Sequence, residues 1–229
     1  MNKGLHGEPT QADKILSFYL QIDASFPLPA GVEIMNPYSD PKAWGCVTQF
    51  YQRFYADHKN RKIIFGINPG RFGAGVTGVP FTDPIRLAND CAIENNFQKR
   101  PELSSLFVYE VIRAYGGVTS FYSDYFITAL SPLGYMKDGR NLNYYDDKQL
   151  IALSEEFIVH SIELQVKMVN PGSIAWCLGE GTNFKLFNGL NQRYHFFSEI
   201  MPLPHPRWIM QYRRKSIDIY IQKYVEALR

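Results

Sequence analysis

Four short apolar runs, separated by stretches long enough for helices, constrain this chain more than any other feature. They are KIIFGI (Lys62–Ile67), DYFITALS (Asp124–Ser131), SIAWCLG (Ser173–Gly179) and FFSEIMPL (Phe196–Leu203). Each is rich in β-branched or aromatic residues and is followed closely by glycine or proline, the pattern of a buried strand. The intervening sequence carries helix signals. Asp83-Pro84 supplies a capping residue and a proline at the first helical position. A helix over Ser104–Tyr115 ends at Gly116-Gly117. A long amphipathic helix over Asp146–Val169 stops before Asn170-Pro171-Gly172. A short helix is expected near Thr182–Gly189, and a final one runs toward Leu228.

Strands alternating with helices pair in parallel through crossover connections. The expectation is a three-layer α/β/α sandwich around a central four-stranded parallel sheet. Ligands of such sheets bind at the carboxyl ends of the strands. The loops to watch are therefore those after Ile67, Leu130, Leu178 and Leu203. Upstream, Ile15, Leu16, Tyr19 and Ile22 share one helical face, and Val47, Phe50, Tyr51 and Phe54 share another. Between them, FPLPAGVEIMNPYSDP reads as a proline-rich ordered loop or arm. The 229 residues suit a single domain, with a helical part over 1–60 and an α/β core over 61–229.

Composition narrows the setting. With 45% hydrophobic and 20% charged residues the chain has the balance of a globular protein, and no apolar run is long enough to span a membrane. The N-terminus, MNKGLHGEPTQADK, lacks the apolar centre of a signal peptide. Cys46, Cys91 and Cys177 lie far apart with no CxxC spacing, so they read as buried apolar residues in a reducing compartment. No metal or cofactor is implied. The expected location is the cytoplasm. The formal charge of +2 does not announce a nucleic-acid binder, but Arg207, Arg213, Arg214 and Lys215 cluster near the C-terminus.

Two of the four watched loops are unusual. Gly66-Ile67-Asn68-Pro69-Gly70-Arg71-Phe72-Gly73-Ala74-Gly75-Val76-Thr77-Gly78-Val79-Pro80-Phe81 is glycine-rich and sets a polar Asn68 at a strand's carboxyl end. It lacks the Lys-Ser/Thr of a phosphate loop and does not match GxGxxG. A turn without chemistry would account for the glycines but not for Asn68. Pro202-Leu203-Pro204-His205-Pro206-Arg207 holds a histidine between prolines that stiffen its backbone. His6, His58, His160 and His195 have no such setting and read as structural or solvent-facing.

Together the two loops resemble the motifs of the single-strand-selective monofunctional uracil-DNA glycosylases. GINPGRFGAGVTGVPF is similar to that family's first motif along its whole length. FITALSPLGYMKDGRNL (Phe126–Leu142) is similar to the family's following strand and loop, and HPR (His205–Arg207) to its second motif. The resemblance covers roughly residues 60–215 and points to a divergent bacterial branch, so a nucleoid-associated protein acting on single- or double-stranded DNA. No obligatory protein partner is implied.

By that resemblance Asn68 would hold the water that attacks C1′ of the sugar. His205 would donate to the base's O2 as negative charge develops. Phe81 would stack on the flipped base. Gly66, Ile67, Pro69, Gly70 and Phe72 would line the pocket, and Arg207 would belong to the loop that wedges into the duplex. The chemistry asks for such types: an anionic leaving group needs fixed donors, and an amide can orient water without carrying charge. The base must first leave the stack, which costs a few kcal/mol.

Two departures stand out. Ala129 occupies the place of the family's uracil-reading asparagine, and Trp208 follows Arg207 where the family has a longer second motif. The first implies a looser pocket that also admits deaminated purines such as xanthine or hypoxanthine. Two rival readings of the same pocket are a hydrolase of free nucleosides or nucleotides and a non-catalytic module binding damaged DNA. Retention of both Asn68 and His205 favours catalysis.

Overall fold

The structure is a computed structural model that describes residues 8–229. In chain order its elements are α1 (Gln11–Leu20), β1 (Val32–Met35), α2 (Pro41–Phe54), β2 (Lys62–Gly66), α3 (Ala74–Thr77), α4 (Pro84–Asn89), α5 (Leu103–Tyr115), α6 (Val118–Asp124), β3 (Tyr125–Ala129), β4 (Gly134–Lys137), β5 (Arg140–Leu142), α7 (Lys148–Val169), β6 (Ile174–Leu178), α8 (Thr182–Tyr194), β7 (Glu199–Leu203), α9 (Pro206–Tyr212) and α10 (Ile217–Leu228).

The four expected strands form one parallel sheet in the order β3-β2-β6-β7, flanked by helices as an α/β/α sandwich. β2, β3 and β6 are all but fully buried, as strands covered on both faces must be, while β7 at the edge is partly exposed. β2 and β3 run in register with Gly66 opposite Ala129. The carboxyl ends of the two strands therefore stop side by side, and their backbones stay paired one step further through Leu130 N–H to Gly66 O and Ser131 N–H to Ile67 O, both 3.1 Å.

Local signals account for most boundaries. Asp83 caps α4 by accepting from the backbone N–H of Ile85 and Arg86, with Pro84 at the first position. Asn170 ends α7 in the left-handed conformation. The helix expected over Thr182–Gly189 continues to Tyr194. Gly189 weakens a helix by about 1 kcal/mol, but buried Phe187 and Leu190 hold the turn it sits in.

The proline-rich segment expected to be a loop or arm contains β1, which pairs antiparallel with β4, while β4 pairs with β5. This second, three-stranded sheet was not expected. The segment LGYMKDGRNLNYY, expected to be a loop, supplies its hairpin. Asp138 and Gly139 form the two-residue turn at φ of 51° and 68°, the mirror-image turn that suits a twisted hairpin. Residues 8–60 are thus not purely helical. They also share one buried cluster with the sheet: Ile15, Val47, Phe50 and Tyr51 pack in the same core as Phe65 and Phe126.

The small sheet braces the glycine-rich loop. Met35 of β1 lies so close to Gly134 that a Cβ there would meet its methyl carbon at 2.5 Å and the Pro69 carbonyl oxygen at 2.7 Å. Only glycine permits that approach. Cys46, Cys91 and Cys177 are free and buried, and burial pushes the thiols of Cys91 and Cys177 up to about 12. They remain inert thiols at neutral pH. Among the described residues no helix is long and apolar enough to cross a membrane.

Candidate active site

The carboxyl ends of β2 and β3 open into a cavity of about 590 Å³. Asn68, Phe81, Ala129 and His205, which lie up to 137 residues apart, all line it. Ile67, Pro69, Gly70 and Phe72 line it as well. Gly66 does not: the Phe81 ring covers it, and a Cβ at residue 66 would lie 2.5 Å from that ring. Glycine at 66 lets the aromatic ring approach the strand end closely.

Phe81 holds φ at 54°, in the left-handed region that non-glycine residues seldom adopt. Such backbones cost of order 1–3 kcal/mol and persist where the surroundings impose them. Here the surroundings are a knot of hydrogen bonds on either side. The buried Thr77 hydroxyl donates to Thr82 O at 2.7 Å and accepts from Val79 N–H at 3.1 Å. Asp83, fully buried, accepts from Glu102 N–H at 2.9 Å, tying the loop to the start of α5.

Asn68 is fixed by the hairpin's exit. Its Oδ1 accepts from Tyr144 N–H at 3.0 Å, and its Nδ2 donates to Leu142 O at 3.2 Å and Pro69 O at 3.3 Å. An amide oxygen has two lone pairs. One remains to orient a water, at a position set by three protein hydrogen bonds. Among the described residues Glu102 is the one carboxylate lining the cavity, and it accepts from Ser105 N–H at 2.8 Å.

His205 stands at the N-terminus of α9, where its Nδ1 accepts from Arg207 N–H at 3.1 Å. An accepting Nδ1 places the proton on Nε2. Burial, with the Arg207 charge added, pushes the imidazole down to about 4. The ring is neutral at physiological pH and offers one N–H.

Sequence reasoning missed three of the cavity's four arginines. Arg71, Arg100 and Arg140 join Arg207 along its wall. The guanidiniums of Arg100 and Arg71 lie 3.7 and 4.6 Å over the Phe72 ring. Phe72 thus makes cation–π contacts with both arginines. Arg71 lay in the quoted loop, whereas nothing in the spacing of Arg100 and Arg140 marked them. Arg213, Arg214 and Lys215 are exposed but do not line the cavity, and Arg213 stacks on Trp208 at 4.9 Å. His58, His160 and His195 do not line it either, and His6 lies outside the described residues. Among the described residues no group of three or more His, Cys, Asp or Glu side chains could hold a metal ion. Also missed were Tyr19 and Tyr38, which line the cavity from the N-terminal part of the chain.

An open pocket with a held amide, a neutral histidine and an aromatic plate, lined by arginines, suits an enzyme that acts on a base of nucleic acid. The chain belongs to the uracil DNA glycosylase superfamily, whose model matches residues 53–229. The solved structure of wild-type SMUG2 from Pedobacter heparinus is similar, with 41% identity and a TM-score of 0.93 over 95% of this chain and 96% of that one. A search of curated proteins finds no match. The function is of the uracil-DNA glycosylase type, in DNA repair.

Proposed function

We propose that this protein flips a deaminated base out of DNA and hydrolyses its N-glycosidic bond, leaving an abasic site. The observation that carries this reading is the convergence of Asn68, His205 and the strained Phe81 on one cavity. The extruded base stacks on Phe81. Water held by Asn68 attacks C1′, and the His205 N–H stabilises charge on the departing base. Among the described residues no lysine lines the cavity. A monofunctional reaction that uses water alone fits that lining. Arg71, Arg100, Arg140 and Arg207 grip the phosphates beside the flipped nucleotide, and Arg213, Arg214 and Lys215 extend that track.

The test is direct. Oligonucleotides bearing uracil, xanthine, hypoxanthine or 5-hydroxymethyluracil are incubated with the protein and scored for alkali-labile sites, with free deoxyuridine in parallel. Excision from DNA and none from the nucleoside is expected. Turnover of free deoxyuridine at a rate indifferent to DNA length would replace this reading with a nucleoside hydrolase. Binding of all oligonucleotides with no excision would leave only a damage-recognition module.

Ala129 sets the breadth of the substrate range. It lines the cavity at the strand end opposite Gly66, beside the Phe81 ring. Its methyl group leaves room for a purine and makes no hydrogen bond. Ala129→Asn restores a pairing amide and is expected to favour uracil over xanthine by about ten- to a hundredfold in single-turnover rate. A uracil-to-xanthine ratio that stays within about threefold of the wild type, below the smallest of those energies, would show that position 129 does not meet the base.

A further inference from the structure

Resting on that glycosylase reading, we propose that the Tyr38 hydroxyl, held by Tyr19, makes the polar contact to the flipped base's pairing edge that Ala129 cannot make.

Tyr38 lines the same cavity as Phe81 and Ala129. Its ring edge lies 3.7 Å from where a Cβ on Gly78 would be, three residues before Phe81. Its backbone is pinned in a 3-10 turn over Pro37–Ser39, with its N–H donating to Asn36 Oδ1 at 3.0 Å. Behind it Tyr19 stacks at 4.1 Å between ring centroids, and both rings are buried yet line the cavity.

A chain of polar groups then leads from Tyr38 to the strand end at Ala129. The Tyr19 hydroxyl is 3.1 Å from that of Tyr51, and the hydroxyls of Tyr38 and Thr128 lie near enough to influence its ionisation. The buried Thr128 hydroxyl donates to Gln165 Oε1 at 2.5 Å, and Gln165 Nε2 donates to Ala129 O at 3.4 Å. Such a network holds its members in place. Burial disfavours ionisation of both tyrosines, so they stay neutral hydroxyls.

Two of the cavity's other amides are already engaged. Asn68 is committed to Leu142, Pro69 and Tyr144, and Asn141 Oδ1 accepts from Arg71 N–H at 3.1 Å. Asn143 also lines the cavity and is the rival reader, so Asn143→Ala is run through the same measurement.

A hydroxyl differs from an amide in one respect that matters. It both donates and accepts by rotating about its C–O bond, whereas an amide presents a fixed donor beside a fixed acceptor. It can donate to the 4-oxo group of uracil and equally to the 6-oxo group of a deaminated purine. A tyrosine reader beside Ala129 therefore predicts breadth across oxo-bearing bases.

The experiment is a coupling measurement. Single-turnover excision of uracil is compared with excision of pyrimidin-2-one, which lacks the 4-oxo group, for wild type and Tyr38→Phe. Any difference in leaving-group ability is common to both enzymes and cancels. Wild type is expected to lose about five- to tenfold more than Tyr38→Phe when the oxo group is removed, the value of one neutral hydrogen bond. Affinity for DNA carrying an abasic analogue, which has no base to read, should be equal for both.

Tyr19→Phe forms a second arm and decides alone if Tyr38→Phe does not fold. It removes the hydroxyl stacked beside Tyr38 while keeping the ring, and should shrink the coupling in the same direction. Equal dependence on the oxo group in wild type and in the folded tyrosine variants overturns the assignment while leaving the glycosylase intact. A wild type that excises no base from any oligonucleotide overturns the glycosylase reading itself.

Discussion

Replacing Asn68 with alanine is expected to slow base excision by roughly 10²–10⁴-fold, the span seen when a group that positions or activates a reactant is lost. The side chain is a hub as well as a water site. Alanine also strips hydrogen-bond partners from Tyr144 N–H and Leu142 O, at a cost of about 1–3 kcal/mol for each that stays buried and unpaired. Some loss of melting temperature should accompany the loss of rate, so the two must be measured together. Asn68→Asp separates them. A carboxylate can still accept from Tyr144 N–H and still orient water, but cannot donate to Leu142 O. It should be destabilised like the alanine variant while excising faster. Affinity for DNA carrying an abasic analogue should change little in either, because Asn68 acts on water and not on phosphate. Near-wild-type single-turnover rates in a folded Asn68→Ala would remove this residue from the chemistry.

The double role of Asn68 shows what could be read from the sequence and what could not. Its position at a strand's carboxyl end was legible, because KIIFGI is a short β-branched run closed by Asn-Pro-Gly. Its partners were not. Leu142 and Tyr144 come from a hairpin more than 70 residues away, and pairing at that distance leaves no periodic trace. The hairpin did carry a local signal, since Asp138-Gly139 is a favoured two-residue turn. Its first strand is short and its neighbour β1 lies between prolines and glycines, which hid the alternation of Val32 and Ile34. Tyr19 was placed correctly on a buried helical face. That face also lines the cavity, and only tertiary packing of α1 beside the 3-10 turn reveals it. The arginines follow the same rule: Arg100 and Arg140 sit in unrelated loops that meet only in the folded chain.

His205→Ala is expected to slow excision by an amount equivalent to about 3–4 kcal/mol, the effect of removing one donor aimed at developing negative charge. Two roles must again be told apart, because Nδ1 also caps α9 through Arg207 N–H. His205→Asn keeps a good capping acceptor but its amide is too short to put a donor where Nε2 stands. It should match the wild type in melting temperature and the alanine variant in rate. The pH dependence follows from the imidazole held down to about 4. A depressed histidine favours the fold fully above its unfolded value near 6.5, and that contribution is lost as pH falls from about 6.5 toward 4. The donor on Nε2 is present in both protonation states, but protonating Nδ1 breaks the cap. Excision should therefore show no step near pH 6.5, and should fall only as the ring protonates around 4. Carbon-detected NMR of the imidazole, alongside single-turnover rates from pH 4 to 8, measures both. A ring that titrates near 6.5 in step with the rate would mean that the protonated form is the working acid, and the neutral donor inferred from the Arg207 contact would be wrong.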